Sequence, residues 1–244
     1  MVILNHLIVV INLLLITGND LCYNYHMKQY FITGTSSGIG SEIKKLLDGN
    51  LYTPTRDELD LNLINTVTLY NVPKVDVAIH VAGHDLGGGV KFLKHDLKSL
   101  IKVINCTFLS TLILSKKLLE KNKNCLQVYI TSTNLDEFYP NNLAYNISKN
   151  AVRTMIDLLK LDYPNINIKE ARVGLTKTKF NNNRHKINHK PINDLYASKH
   201  MNSKYVAQKI IELIDSDEEF IRINEEKVET RIIYKTMWND FDEE

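Results

Sequence analysis

Residues 29–47 read Gln-Tyr-Phe-Ile-Thr-Gly-Thr-Ser-Ser-Gly-Ile-Gly-Ser-Glu-Ile-Lys-Lys-Leu-Leu. The segment 29–33 is rich in β-prone residues and predicts a buried strand. Three glycines then follow at Gly34, Gly38 and Gly40, before apolar residues recur with helical spacing over 43–47. This order of strand, glycine turn and helix predicts the first βα unit of a nucleotide-binding sheet.

The chemistry expected at this turn is phosphate binding. Gly34 can make the tight turn, Gly38 lets a pyrophosphate approach the backbone, and Gly40 permits close packing of helix on strand. The helix N-terminus supplies N–H groups and favours negative charge. The residues predicted here to bind a cofactor are Gly34, Ser36, Ser37, Gly38, Ile39 and Gly40.

Downstream of the turn, short β-rich runs alternate with longer helical patterns. The predicted strands are 29–33, 50–54, 75–81, 126–131, 166–173 and 219–223. The predicted helices are 38–47, 65–71, 96–121, 142–161 and 203–214. Because strands and helices alternate without a linker or repeat, we predict one α/β domain over 27–224, a Rossmann-like doubly wound parallel sheet with helices on both faces.

The bulk composition limits the classes of partner. The 244 residues are 44% hydrophobic and carry a net charge of only +2, so a globular core is expected and a broad nucleic-acid-binding field is not. A small-molecule substrate is the expected partner. The three cysteines, Cys22, Cys106 and Cys125, form no Cys-x-x-Cys pair, which indicates a reducing, cytoplasmic setting.

Three segments fall outside this regular pattern. Residues 1–26 begin with an apolar run that is shorter than a bilayer span and lacks a basic start, so we expect an extension outside the core, dispensable or mis-assigned; a peripheral membrane anchor is the alternative. Residues 179–200 are polar and basic and predict a lid. Residues 225–244 are predicted to form a charged tail.

A Tyr-x-x-x-Lys spacing places both side chains on one helix face, but it occurs by chance in a chain with 12 tyrosines. Three such pairs are present: Tyr70/Lys74, Tyr145/Lys149 and Tyr205/Lys209. Pro73 interrupts the first pair, and no strand-end hydroxyl precedes the third. The middle pair follows Ser132, which ends a predicted strand 13 residues before Tyr145.

These three side chains predict acid–base chemistry. A nearby lysine ammonium favours the phenolate and lowers the tyrosine pKa from its usual value of about 10. Tyr145 is then expected to exchange a proton with a hydroxyl or carbonyl oxygen, which Ser132 also hydrogen-bonds, while a nicotinamide exchanges hydride with the carbon.

The Thr-Gly-x-x-x-Gly-x-Gly turn, together with Ser132 and the Tyr145/Lys149 pair, resembles the short-chain dehydrogenase/reductase family over nearly all of 27–224. The resemblance implies a carbonyl reductase or alcohol dehydrogenase that assembles as a dimer or tetramer through helices 96–121 and 142–161. It also implies further roles: Asn105 in a proton relay, Lys149 on the ribose hydroxyls, Asp60 near the adenine, Ala82 and Gly83 along the cofactor, and Thr178 at the carboxamide.

Two positions depart from the family pattern. Val81-Ala82-Gly83, preceded by His80, stands where the family has Asn-Ala-Gly, so an asparagine that steadies the sheet is missing. Val173-Gly174 stands where Pro-Gly usually precedes the lid, so the hinge of the lid is expected to differ.

The choice of cofactor depends on the end of the second strand, where a carboxylate binds a ribose diol and a basic residue pairs with a 2′-phosphate. Thr55 occupies the acidic position and Arg56 follows it, which favours NADP over NAD. A solvent-exposed Arg56 beside Asp57 is the alternative.

The sequence is also compared with what a metal site, a nucleotide-sugar enzyme and a dinucleotide sensor would require. His185 and His189 are four residues apart but lack a third ligand, so no metal site is expected. A nucleotide-sugar epimerase or dehydratase usually has a larger C-terminal domain than this chain has. A dinucleotide-binding sensor without turnover is a third possibility, which Ser132, Tyr145 and Lys149 argue against.

Overall fold

The computed structural model describes residues 27–85, 91–136, 142–180 and 200–224, and the backbone of 227–230. The predicted extension 1–26, most of the predicted lid and the tail beyond residue 230 lie outside the described residues.

The described domain is built on a mostly parallel sheet in the order β2-β1-β3-β4-β5-β8-β9. Its strands are β1 (Gln29–Thr33), β2 (Asn50–Tyr52), β3 (Val77–His80), β4 (Leu126–Ser132), β5 (Ile168–Val173), β8 (Phe220–Asn224) and β9 (Lys227–Thr230). The two short strands β6 (Thr176–Lys177) and β7 (Met201–Asn202) pair separately. All neighbours in the main sheet are parallel except β8 and β9.

Helices connect the strands at the positions that the sequence predicts. They are α1 (Gly38–Leu46), α2 (Ile64–Leu69), α3 (Leu97–Ile104), α4 (Ser110–Lys121), α5 (Leu143–Asp162) and α6 (Ser203–Asp215). A π-helical turn, Asn105–Leu109, joins α3 to α4, and 3₁₀ turns cover Phe92–Lys94 and Thr133–Leu135. The predicted α/β fold is confirmed, with the predicted helix 96–121 divided by the π turn.

Apolar side chains on both faces of the strands explain why the sheet is covered twice. In β1, Ile32 packs on Ile43 of α1 on one face of the sheet. The preceding residue, Phe31, packs on the opposite face with Val67 of α2 and Leu114 of α4. Each such burial contributes roughly 1.5–3 kcal/mol relative to exposure. Buried alternation of this kind is typical of a doubly wound sheet.

The order of the strands determines where a crevice opens. The chain moves outward from β1 to β2 and then returns to β3 on the other side of β1. In open α/β sheets, ligands bind beyond the carboxyl ends of the strands at such a reversal. The crevice therefore lies above β1 and β3, where Gly34 and Ala82 follow the two strands.

Several boundaries differ from the sequence prediction: strand 75–81 is Val77–His80, strand 166–173 is Ile168–Val173 and helix 65–71 is Ile64–Leu69. Two further differences have a clear physical reason. The strand predicted over 50–54 ends at Tyr52, since Pro54 has no N–H to donate to a ladder. The sheet also continues beyond Asn224, where the predicted domain ends, because Lys227–Thr230 folds back antiparallel on β8. A charged segment can form such a strand at an edge, where one side of the ladder meets water.

One helix among the described residues, Leu97–Lys121, is long and apolar enough to cross a membrane by length and composition. In this structure it packs on the domain: Leu100 and Val103 contact α5, and Leu114 and Leu118 belong to the sheet core. A core helix of a soluble domain meets the same criteria, so the helix is weak evidence for membrane insertion.

Candidate active site

A cleft of about 900 Å³ opens at the carboxyl ends of β1, β3, β4 and β5. The predicted site residues that line it are Gly34, Ser36, Ser37, Gly38, Ile39, Gly40, Arg56, Asp60, Ala82, Gly83, Ser132, Tyr145, Lys149 and Thr178. The structure thus brings the glycine turn and the acid–base residues into one cleft. Asn105 is the predicted site residue that does not line it.

The glycine turn is shaped by positions that accept no side chain. Gly34 has φ +74°, and a Cβ there would lie 2.8 Å from the backbone of Ala82. A Cβ on Gly40 would overlap the carbonyl oxygen of Gly34. These approaches fold the turn tightly against β3 and hold the start of α1 close to it, which is the backbone cradle that a pyrophosphate needs.

Thr178 lies against the same turn. Gly38 has φ +59°, and a Cβ there would approach Thr178 Cγ2 at 2.9 Å. Thr178 Oγ1 accepts a hydrogen bond of 3.2 Å from the N–H of Phe180, so the first residues of the predicted lid form a local turn over the cleft. The hinge contains Gly174, which has Asn224 as its close neighbour.

Ser132 ends β4 and is almost completely buried. Its Oγ accepts a hydrogen bond of 3.2 Å from the N–H of Asn134, which caps the 3₁₀ turn that follows. Asn134 in turn donates from its amide to Asn146 Oδ1 at 3.1 Å, which links this turn to α5. Because Oγ acts as an acceptor in the cap, the hydroxyl can still donate its proton toward the cleft.

Tyr145 and Lys149 lie one turn apart on α5, and both are buried. Lys149 Nζ is 5.8 Å from the centroid of the Tyr145 ring and donates a 2.6 Å hydrogen bond to the carbonyl oxygen of Ile130. Burial lowers the Lys149 pKa to about 8. The lysine therefore remains mostly cationic at neutral pH and places a positive charge beside the phenol.

The two other Tyr-x-x-x-Lys pairs are outside the cleft. Helix α2 ends at Leu69, so Tyr70 and Lys74 do not share a helix face. Tyr205 and Lys209 do share one on α6, with Nζ 5.9 Å from the ring centroid. Since this geometry nearly equals that of Tyr145 and Lys149, position in the cleft distinguishes the pairs and local spacing does not.

Asn105 begins the π turn between α3 and α4. Its amide donates to the backbone carbonyl of Asn62 at 2.9 Å, and its own carbonyl accepts from the N–H of Ser110. π turns often occur at functional sites. In this structure Asn105 braces the loop after Asp60, and the proton-relay role implied by the resemblance stays a prediction.

Sequence reasoning missed His84, which forms a partly buried chain of hydrogen bonds with Asp60 and Asn62 in the cleft wall. Asn62 donates from both its N–H and its amide to Asp60 Oδ1, so its own Oδ1 must accept from His84 Nε2, at 2.7 Å. Burial, reinforced by Arg56 and Lys102, lowers the His84 pKa to about 4. A neutral imidazole therefore faces this end of the cleft.

Basic side chains collect where β2 ends. Arg56 is exposed and lines the cleft, as does Lys44 of α1, whose Nζ donates to Thr53 Oγ1 at 3.1 Å. Sequence reasoning singled out Arg56 but missed Lys44, because only the packing of α1 beside β2 brings the two cations together. Glu58, the nearby acid, instead accepts hydrogen bonds from Thr55.

His80, which directly precedes the position of the missing asparagine, belongs to a buried polar network. Its ring stacks on Tyr129 with centroids 4.9 Å apart, and Nε2 lies 2.8 Å from Gln127 Oε1. Tyr129 donates its hydroxyl to Ser115 Oγ at 2.9 Å. Burial lowers the His80 pKa to about 4, so a neutral ring joins β3, β4 and α4.

The described residues contain no group of three histidine, cysteine or acidic side chains that could hold a metal ion. His185 and His189 lie outside the described residues, so the prediction concerning them is not addressed by the structure.

Comparisons with known proteins agree with this fold. The sequence profile described as short chain dehydrogenase matches residues 56–188, more than half of the chain. No curated protein sequence matches. Among solved structures, the chain is similar to a small-chain dehydrogenase in complex with NADPH, with 16% identity, a TM-score of 0.71, and coverage of 82% of this chain and 97% of that one.

Two further structures have the same fold. An alcohol dehydrogenase from the archaeon Thermococcus sibiricus, complexed with 5-hydroxy-NADP, is 19% identical with a TM-score of 0.65, covering 82% and 97% of the two chains. A short-chain dehydrogenase from Sphingobium yanoikuyae in complex with NADPH is 15% identical with a TM-score of 0.67, covering 80% and 87%. This chain belongs to the short chain dehydrogenase family of NAD(P)-dependent oxidoreductases.

Proposed function

We propose that the protein reduces a carbonyl or oxidises an alcohol with NADP or NAD, using Tyr145 as the general acid/base. The observation that carries the proposal is the convergence of Ser132, Tyr145 and Lys149 in the cleft that also holds the glycine turn. Two of the similar structures are complexes with NADPH and with 5-hydroxy-NADP, which supports the same class of cofactor here.

The residues of the chain fit such a cofactor along the whole cleft. The glycine turn offers backbone N–H groups to a pyrophosphate, Lys149 can donate to ribose hydroxyls, and Thr178 lies beside the turn at the start of the lid. A bound nicotinamide supplies or accepts the hydride. Arg56 and Lys44 would pair with a 2′-phosphate, which favours NADP.

In the reducing direction, Ser132 donates a hydrogen bond to the carbonyl oxygen and orients it. The Tyr145 hydroxyl gives its proton to that oxygen as negative charge develops there, and the Lys149 ammonium stabilises the phenolate that remains. In the oxidising direction the same groups work in reverse. Phe180 packs edge-on against Tyr145, with ring centroids 5.5 Å apart, and helps to exclude water from the hydroxyl.

The test is turnover of a panel of carbonyls and alcohols with both nicotinamides, for the wild type, Tyr145→Phe and Tyr205→Phe. We expect Tyr145→Phe to lower kcat by about 100-fold or more, because removing a general acid costs roughly 10²–10⁴ in rate. Tyr205→Phe removes a tyrosine with nearly the same local relation to a lysine and should leave kcat unchanged. Tight cofactor binding without turnover of any substrate would instead indicate a sensor.

We further propose that two copies associate through α3, α4 and α5. Apolar side chains on these helices are exposed, among them Leu97, Ile101, Leu112, Ile147 and Leu158. An exposed apolar surface spread over adjacent helices is typical of a subunit interface. The resemblance to the family implies the same helices.

A cytoplasmic location is also proposed. Cys106 and Cys125 are buried free thiols in the described part of the chain, and burial raises the pKa of each to about 12. Thiols held protonated and buried are expected in a protein that relies on its hydrophobic core and not on disulfides.

A further inference from the structure

A cluster of ionic side chains lies on the sheet next to the strand and the turn that carry Ser132. Asp136 ends the 3₁₀ turn that begins directly after Ser132. Its Oδ1 accepts from Arg172 Nη1 at 2.7 Å, and its Oδ2 accepts from Arg222 Nε at 2.9 Å. The turn is thereby held at its far end by two guanidinium groups.

The same cluster contacts the residue before Ser132. Glu170 Oε1 accepts from Arg172 Nη2 and Nε at 3.1 and 3.2 Å, and the hydroxyl of Thr131 donates to the same oxygen. Glu170 Oε2 is 3.1 Å from Nε of Arg153, which lies one helical turn after Lys149 on α5. The ionic cluster therefore contacts three elements: β4 just before Ser132, the 3₁₀ turn just after Ser132, and α5, which carries Tyr145.

The arginines that hold Asp136 come from rigid elements. Arg172 and Arg222 are direct neighbours across β5 and β8 in the register of the sheet, so both guanidinium groups project from the same sheet face. The Arg172 guanidinium also lies 5.1 Å from the centroid of the Phe220 ring. A turn bonded to such groups is held in position relative to the sheet more firmly than a turn that depends on its own cap.

Burial strengthens the Arg172–Glu170 bond of the cluster, whereas the two bonds of Asp136 are more exposed: the side chains of Asp136 and Arg222 are 29% and 28% exposed. The side chain of Glu170 is 4% exposed and that of Arg172 is 15% exposed. At such sites solvent screening is weak, and removal of one partner leaves a buried charge uncompensated. Asp136 shares Arg172 with the buried Glu170, so a charge change at Asp136 is expected to alter this pair and the geometry of the turn.

We propose that Asp136 is a positioning residue that sets the Ser132 hydroxyl at its working distance from Tyr145, through its bonds to Arg172 and Arg222. This inference rests on the proposed function, in which Ser132 orients the substrate oxygen. Loss of the bonds lets the turn shift away from β5 and β8, and Ser132 moves with it. Misplacement of a reacting group by about 1 Å can cost 100-fold in rate.

A double-mutant cycle between Asp136 and Ser132 tests the inference. Asp136→Asn keeps the shape of the side chain but removes the charge and one acceptor oxygen. We expect it to lower kcat about 10- to 100-fold while the Kd for NADPH, measured by fluorescence of the bound dinucleotide, changes little. In the Ser132→Ala background the same substitution should add less than about twofold, because both changes act through one hydroxyl.

Asp157→Asn is the matched control. Asp157 is also a carboxylate paired with an arginine of this cluster, Arg153, and it lies one helical turn after that arginine on α5. We expect its kcat to stay within about twofold of the wild type. If Asp136→Asn fails to fold, Arg222→Gln replaces it in the cycle, since that change removes one of the two guanidinium partners and leaves the other.

The possible failures are separable. If the double variant lowers kcat by the product of the two single effects, Asp136 does not act through Ser132. That result would overturn the positioning role and leave Ser132 in the mechanism. An unchanged kcat for Asp136→Asn would also overturn it. Wild-type turnover by Ser132→Ala alone would remove Ser132 from the proposed function, and the positioning role with it.

Discussion

Lys149 donates a 2.6 Å hydrogen bond to the backbone carbonyl of Ile130, two residues before Ser132 in β4. The bond fixes the ammonium of α5 to the strand whose end carries Ser132. It also explains how a lysine that is 6% exposed stays in place beside the Tyr145 ring. The acid–base residues are therefore held together by backbone as well as by helix spacing.

The buried charge of Lys149 predicts a trade between stability and function. Burial lowers its pKa to about 8. Below that pH the folded protein must keep a proton that burial disfavours, at a cost of roughly 3 kcal/mol relative to an unfolded lysine. We expect Lys149→Met to lose turnover but to unfold in urea with an equal or higher free energy at pH 7.

The control is the pH dependence of the difference in free energy of unfolding between Lys149→Met and the wild type. The cost is present below pH 8 and disappears as pH rises toward 10.5, the ordinary lysine pKa, because both states then lose the proton. The stability advantage of Lys149→Met should therefore shrink between pH 8 and pH 10. A constant advantage over that range would show that packing and not charge is responsible.

His80 predicts destabilisation in mild acid. Its folded pKa is about 4, below the ordinary value of 6.5, so the unfolded chain binds the proton first as the pH falls. The contribution of His80 to the free energy of unfolding is fully present above pH 6.5. It decreases by roughly 3 kcal/mol as the pH falls to 4.

The measurement is urea denaturation at pH 7 and pH 4.5 for the wild type and for His80→Asn, which replaces the imidazole with an amide. The variant should lose less stability between the two pH values, because asparagine does not titrate. Equal losses in the two proteins would refute the assignment to His80.

Cofactor preference tests the basic end of the cleft. We expect Arg56→Gln to raise the Kd for NADPH about tenfold and to leave the Kd for NADH nearly unchanged, since a hydrogen bond to a charged group contributes about 1.5–3 kcal/mol. Lys44→Gln should act in the same direction.

Lys45→Gln is the control for Lys44. Lys45 is the next residue of α1, but it pairs with Glu42 at 2.7 Å and does not line the cleft. Its substitution should leave both affinities unchanged. Equal NADPH and NADH affinities in the wild type, insensitive to Arg56→Gln, would contradict the preference for NADP.

A side chain at Gly40 is expected to destabilise the fold of the glycine turn. A Cβ there would overlap the carbonyl of Gly34, whereas a Cβ on Gly83 would find its nearest neighbour, Thr107 Oγ1, at 3.4 Å. We expect Gly40→Ala to lower the free energy of unfolding by about 1–3 kcal/mol and to abolish NADPH binding. Gly83→Ala should cost clearly less stability. Thermal unfolding of the two variants makes the comparison.

The proposed subunit interface can be tested on α5. Ile147→Lys places a charge on the exposed apolar surface of α5 and should shift the molar mass in light scattering from dimer or tetramer to monomer. Leu69→Lys, at an equally apolar but more exposed position on α2 outside this surface, should leave the mass unchanged. A wild-type protein that is monomeric at micromolar concentration would contradict the interface.

The sequence by itself determined the elements and their order. The period of apolar residues located each main parallel strand and the five predicted helices, one of which, 96–121, is divided by the π turn. Burial on one or both faces imposes that period locally. The glycine turn was equally readable from the spacing of Gly34, Gly38 and Gly40, although the residues that pack against Gly34 and Gly38, Ala82 and Thr178, are distant in the sequence. The short strand β9 was not, since its charged residues form a strand only where β8 offers an edge.

Tertiary structure decided the relations between distant residues. The Tyr145 and Tyr205 pairs have almost the same local geometry, and only the order of the strands places one of them in the cleft. Lys44 joins Arg56, and His84 joins Asp60, through contacts that no local pattern encodes. Asp136 and Arg222 are 86 residues apart in the chain, so their bond exists only because β4 and β8 flank the same strand of the sheet.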